Sequence, residues 1–321
     1  MHIPDGLMDP LVAAIGWIEF LLVLGAVMIV SGRRIRERNL PRVALLSAGI
    51  FVAQILNFPV GGGTTGHLIG AALFAILAGP ALAVIGMSVV IIIQALMFGD
   101  GGVTALGLNA LNMAVIAPLM GWGVYSLVDP VLVNRTRLGR SLSIALAAWA
   151  SVFVAAASCA AELLVSYAVS AGNYGIAAPI SVPAMLGYHV VIGIGEAAIT
   201  VGLVAYLASV APDLLTTAKT GMVAAGTKSI LKSDTVKAAV AIVLIFVLVL
   251  PLYILYASAG RDGLEQVVAE ADLEEGSPVL NAPFSYGKNY FETLLGGILG
   301  FLAVTLSALG LLRLLKWRGA R

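Results

Sequence analysis

The chain of 321 residues has a single cysteine and three histidines, and only 11% of it is charged. A lone Cys159 forms neither an internal disulfide nor a thiolate cluster, so it is read as a packing residue and tells nothing of the redox compartment. The shortage of charge, set against 60% hydrophobic residues and a mean hydropathy of +1.03, excludes an ordinary soluble domain. No basic stretch precedes the first apolar run, which follows Asp5 and Asp9, so no cleavable signal peptide is expected and residue 1 is taken as the mature N-terminus. A complete phosphate loop is also lacking. Gly221-Met222-Val223-Ala224-Ala225-Gly226-Thr227-Lys228-Ser229 departs from GxxxxGK[ST] by one inserted residue and follows no strand. The chain is therefore expected to be neither an ATPase nor another enzyme, to carry no cofactor and to have no nucleic-acid partner.

What is present is a succession of apolar runs. A helix needs about 20 apolar residues to cross a bilayer core. Nine stretches approach that length, at 9–30, 43–60, 67–79, 81–98, 103–128, 141–170, 183–209, 238–257 and 290–314, which predicts an all-α polytopic bundle. The third is the shortest and ends at Gly79-Pro80; it is counted as a crossing, with a partial span as the alternative. Thirty-six glycines suit helices that approach one another through small side chains.

Basic residues orient the bundle. Arg33, Arg34, Arg36, Arg38 and Arg42 follow the first run and place that loop in the cytoplasm, with the N-terminus outside and the C-terminus inside. With nine crossings, 16 of the 18 basic residues fall on the cytoplasmic side, and only Arg261 and Lys288 lie outside. Three regions follow: 1–210, seven spans; 211–237, a basic cytoplasmic linker; and 238–321, two spans joined by an external loop holding Glu265, Glu270, Asp272, Glu274 and Glu275.

The first residues, Met1-His2-Ile3-Pro4-Asp5-Gly6, offer three nitrogens to one metal ion: the terminal amine, the His2 amide and the His2 imidazole. An all-nitrogen, square-planar set of this kind suits Ni(II) or Cu(II). A fourth nitrogen must come from His67 or His189. His67 closes the turn-rich stretch Gly61-Gly62-Gly63-Thr64-Thr65-Gly66, on the same side of the membrane as residue 1.

Other polar groups fall inside the apolar runs, where they are costly. Asn109 and Asn112, three apart, either orient a ligand or pin helices together. His189 and Glu196, seven apart, share one helix face. Glu19 and Glu162 complete the set. Small-residue ridges at Ala71, Ala75 and Gly79 and at Gly296 and Gly300 serve either packing within the chain or the docking of a partner subunit.

Together these stretches resemble the NikM/CbiM family, the substrate-binding membrane subunits of nickel and cobalt energy-coupling-factor transporters. The resemblance lies in Met1 to Gly6, in Asn57-Phe58-Pro59-Val60 through Gly66-His67-Leu68, in Gly99-Asp100-Gly101-Gly102 through Asn112-Met113, and in Gly193-Ile194-Gly195-Glu196-Ala197. It covers residues 1 to about 210. It implies a seven-helix subunit with its N-terminus at the centre and metal ligands at Met1, His2 and His67, with Asn109, Asn112, His189 and Glu196 behind them or along the path. The tail is similar to the two-helix accessory subunit of such systems, here fused, its start resembling Asp262-Gly263-Leu264-Glu265. The implied function is capture of Ni2+, or Co2+, for import across a prokaryotic cell membrane, driven by a membrane-embedded coupling subunit and two cytosolic ATP-binding subunits. A proton-coupled secondary transporter using Glu19, Glu162, Glu196 and His189, or a membrane metalloenzyme, are the competing readings.

Overall fold

The structure, a computed structural model, describes residues 1–32, 40–61, 64–132, 137–210, 232–256, 261–273, 276–287 and 289–319. Most of the basic linker, with its phosphate-loop-like stretch, lies outside these residues, as do Arg33 to Arg38, Arg135, Glu274, Glu275 and Lys288.

The described residues form helices α1 (Pro10–Gly32), α2 (Leu40–Ile55), α3 (Ala71–Ala78), α4 (Pro80–Ile93), α5 (Leu106–Ala110), α6 (Ala117–Leu132), α7 (Arg137–Val169), α8 (Ala178–Val210), α9 (Lys232–Tyr256), α10 (Gly263–Glu270) and α11 (Tyr290–Gly319). Two π-helical turns, Gln94–Phe98 and Leu111–Ile116, extend α4 and join α5 to α6. A short antiparallel hairpin, β1 (Asn57–Gly61) with β2 (Thr64–His67), separates α2 from α3 and pairs Asn57 with His67. Six helical segments among the described residues are long and apolar enough to cross a membrane, and their outward faces carry Leu22, Ile29, Leu127, Tyr206 and Leu306 where lipid would lie. The chain is a multi-pass membrane protein. Only the segment Pro80–Phe98 is buried over most of its length, which puts α4 at the centre of the bundle.

The expectation of a crossing at 67–79 is corrected. Residues 64–67 form β2, and α3 has eight residues, a rise of about 12 Å against the ~30 Å of a hydrocarbon core. It begins deep because the hairpin has already carried the chain inward. The backbone N–H groups of Ile69 and Gly70 both donate to Glu196, in the middle of the 33-residue α8. Ala71 and Ala75 are fully buried, and a Cβ on Gly121 of α6 would crowd Ala72, so the small-residue ridge on α3 packs within the chain. The ridge on α11 does the same: a Cβ on Gly300 would run into the Phe51 ring of α2.

Every loop that the alternation places outside meets the others in one layer. Gly102 N–H donates to the Ile3 carbonyl, Gly175 N–H to Leu7, Thr65 N–H to Arg261 and Phe284 N–H to Met97, at 2.7 to 3.0 Å. Asp5 ties three of these segments together, accepting from the Thr104 backbone and hydroxyl (2.8 and 2.7 Å) and from Val279 N–H (2.9 Å).

Candidate metal centre

The N-terminus is folded into this layer rather than extended from it. Met1 is 3% exposed, His2 9% and Ile3 0%. A buried backbone must find partners for its polar groups, and Ile3 finds them on α5. Its N–H donates to Asn109 Oδ1 (2.8 Å) and its carbonyl accepts from Asn109 Nδ2 (3.0 Å). The turn before α5 closes over the same strand of chain, so tightly that a Cβ on Gly102 would run into the Asp5 backbone.

Held this way, His2 stacks on His67 with ring centroids 5.2 Å apart. Donor atoms of His2, His67 and Asp262 lie within 4.8 Å of one another, and the Met1 amine donates to Asp262 Oδ2 at 3.0 Å. A cavity of about 10 Å³ opens beside this cluster, lined by Met1, Gly66, His67, His189, Asp262 and Gly263 among others, with His2 behind His67 rather than on its wall. It has room for one water-sized sphere, so an ion entering it sheds most of its hydration shell.

Burial lowers His2, and burial followed by the Met1 ammonium and His2 pushes His67 down to about 4. Both imidazoles are neutral at ordinary pH, the form that ligates metals. Burial opposes the Met1 ammonium, but Asp262 outweighs it and raises the amine above its ordinary value. Burial likewise opposes the Asp262 carboxylate, and the ammonium overcomes it and holds that carboxyl below the usual range.

A hydrogen-bonded relay reaches the His2 ring from the bundle. Gln54 Nε2 donates to the Ile69 carbonyl (2.7 Å), and Gln94 Nε2 donates to Gln54 Oε1 (2.8 Å). Gln94 Oε1 is thereby left facing His2 Nε2 at 3.3 Å. On the ring's other edge Nδ1 lies 3.1 Å from Asp100 Oδ1. His67 Nδ1 is 3.1 Å from its neighbour's carbonyl, Leu68 O, which leaves Nε2 as the nitrogen not engaged with that carbonyl.

Of the residues singled out in the sequence, the structure brings Met1, His2 and His67 together, with Asn109 holding the segment that carries the first two. His189 lines the cavity wall, its Nδ1 2.7 Å from the Met185 carbonyl. Glu196 stands behind His67 as the acceptor at the start of α3. Asn112 is turned elsewhere: it donates to Glu162 of α7 at 2.7 Å, pinning two helices. Glu19 is on the exposed face of α1. Asp262 was not expected as a site residue. The pattern Asp262-x-x-Glu265 is a helix-capping signal, and it sits in a loop on the same side as Met1, so two readable signs marked it. Gln54 and Gln94, two amides inside apolar runs, were likewise overlooked.

Residues 2–214 match a family model, CbiM, described as the cobalt uptake substrate-specific transmembrane region. The chain is 32% identical over 311 residues to a protein of Archaeoglobus fulgidus named putative fused nickel transport protein NikMN, covering 95% of each. It is 38% identical over 222 residues to the fused nickel transport protein NikMN of Rhodobacter capsulatus, covering 67% of this chain and 64% of that one. A crystal structure titled as a truncated transition metal transporter matches with a TM-score of 0.57 at 36% identity, over 65% of this chain and 99% of that one. By the span of these matches, this chain belongs to the CbiM family.

Proposed function

We propose that the protein is the substrate-capturing membrane component of a nickel importer, with Co2+ as the alternative cargo, and that the Met1 amine, the His2 amide, the His2 imidazole and the His67 imidazole are the metal's donors. One observation carries this reading: a buried chain terminus and two imidazoles from segments 60-odd residues apart come together, His2 stacked on His67 at 5.2 Å, beside a cavity the size of a single ion that Met1 and His67 line. Exposed histidines or a mobile terminus would offer no such preorganisation. Four nitrogens without carboxylates favour the later divalent metals over magnesium or calcium. The fused nickel transport proteins among its relatives support nickel, and the family description names cobalt.

Capture rather than catalysis follows from the donor set. The ion exchanges its waters for nitrogens, and the amine and the amide each lose a proton. With the phosphate-loop pattern incomplete at 221–229, energy is assigned to partners: a membrane-embedded coupling subunit and two cytosolic ATP-binding subunits. The reading is tested by titrating Ni2+ into the purified chain with one residue inserted ahead of Met1, and into His67→Ala. Both should bind at least about tenfold more weakly than the parent, as expected when a ligand or its close support is lost. Undiminished binding by the extended chain rejects the terminal chelate. Uptake of Ni2+ by cells that lack the ATP-binding subunits would reject the assignment of partners.

A further inference from the structure

The C-terminal segment reaches into the candidate centre with one side chain, and its placement is fixed from both sides. Asp262 starts α10. Its Oδ1 accepts the N–H groups of Leu264 (2.7 Å) and Glu265 (2.8 Å), while the Glu265 carboxylate accepts the N–H of Asp262 (2.8 Å). The preceding residue, Arg261, pairs with Thr64 of β2, and its carbonyl accepts the Thr65 N–H at 2.8 Å. The following residue, Gly263, sits where a Cβ would lie 2.8 Å from the His189 ring, so the start of α10 can seat this close to α8 only without a side chain. Oδ2 is then left to the Met1 amine at 3.0 Å, beside the cavity.

We propose that Asp262 is the counter-charge of the loaded site, so that the C-terminal segment takes a direct part in metal capture; this rests on the donor set proposed above. The charge count carries it. An ion of charge +2 bound by two neutral imidazoles, a neutral amine and one deprotonated amide leaves the site at +1. A net charge in a buried, dry site is strongly disfavoured unless a partner lies within reach. The Asp262 carboxylate brings the total to zero. Before the ion arrives, the same oxygen neutralises the ammonium. On loading, the ammonium gives up one proton and the His2 amide a second, both to solvent water and buffer, the ion takes their place, and the carboxylate stays where α10 holds it. Site charge is zero at both ends of the exchange. Asp100 lies 3.1 Å from His2 Nδ1, but its side chain is 27% exposed against 13% for Asp262, so solvent screens it more and Asp262 is the better-buried counter-charge.

The test is Asp262→Asn in the full chain, with Ni2+ alone as the probe, by isothermal titration at fixed pH. Asparagine is an equally good N-cap, so its Oδ1 keeps the Leu264 and Glu265 contacts, while the charge and the Oδ2 acceptor facing the Met1 amine are lost together. Kd is expected to rise about tenfold or more, and Asp262→Glu, which restores the charge on a longer arm, is expected to recover part of that loss. Binding by Asp262→Asn that is unchanged or tighter, while His67→Ala loses it, overturns the role of Asp262 and leaves the donor set standing. Asp262→Glu binding no better than Asp262→Asn also overturns it, because charge would then not be what matters. If His67→Ala binds as the parent does, the donor set itself falls.

Discussion

Glu196 accepts the backbone N–H groups of both Ile69 and Gly70, each at 2.7 Å, from the middle of α8. Those two donors stand just ahead of α3, whose first turn has N–H groups without helical partners, and a carboxylate is the natural complement of that end. The same stretch carries His67 two residues earlier, so a bond between helices also sets the position of a candidate ligand. Glu196→Gln keeps one acceptor and turns an NH2 group toward the other N–H. A loss of about 1–3 kcal/mol is expected for a buried donor left unsatisfied, read as a lower thermal midpoint in detergent. Weaker Ni2+ binding should accompany it, and an unchanged midpoint would deny the bond its structural weight.

Asn109 matches both polar groups of Ile3 with one side chain. Aspartate at 109 can still accept the Ile3 N–H but cannot donate to its carbonyl, whereas alanine does neither. Ni2+ affinity should therefore fall in the order parent, Asn109→Asp, Asn109→Ala, with the alanine variant weaker by roughly tenfold to a hundredfold, the range for removing a residue that orients a ligand. Equal affinities for all three would show that the N-terminal segment holds its place without this clamp.

The acid sensitivity of capture has a definite sign. Burial pushes His67 down to about 4, so it adds nothing to the slope around neutrality, and burial lowers His2 in the same direction. The Met1 amine is raised by Asp262 and is protonated there, and the His2 amide is always protonated in the absence of an ion. Two protons thus compete with the metal, and Ni2+ affinity should drop by up to about a hundredfold for each unit of falling pH. Titrations across pH 6 to about 8 that show no dependence would mean that neither nitrogen is deprotonated on binding.

Much of this arrangement was legible in the sequence because hydrophobic length and basic loops are summed over many residues. Among the described residues, six of the nine apolar stretches correspond to helical segments long and apolar enough to cross a membrane and two more to the shorter apolar helices of α2 and α9, and the loops placed outside by Arg42, Arg140 and Arg313 do meet in one layer. The 67–79 stretch misled because apolarity reports burial, not length: α3 is buried by its neighbours on nearly every side and reads like a span although it is half of one. Met1, His2 and His67 were legible through donor chemistry. Asp262 was readable only as the cap of a helix on the same side as Met1, since its contact with the Met1 amine spans 261 residues of sequence.

The relay from Gln54 through Gln94 to His2 settles which ring nitrogen is available to an ion. Gln54 Nε2 points at a carbonyl, which accepts only, so Gln54 must present its oxygen to Gln94 and Gln94 its oxygen to His2 Nε2. An acceptor at that place calls for a proton on Nε2, and Nδ1, which faces the Asp100 carboxylate, is the nitrogen able to close a six-membered ring with the His2 amide once its own contact is given up. An ion at Nδ1 takes the place of the Asp100 contact while Gln94 keeps the ring aligned. Gln94→Leu, close to isosteric, removes the acceptor and strands the Gln54 oxygen. Ni2+ affinity should fall by about tenfold to a hundredfold, as for other residues that fix a ligating histidine's tautomer. Asp100→Asn should change it far less, because that partner is displaced on loading. The reverse order in a pair of titrations would mean that the ion is taken through Nε2 and that the relay serves only to pack α2 against α4.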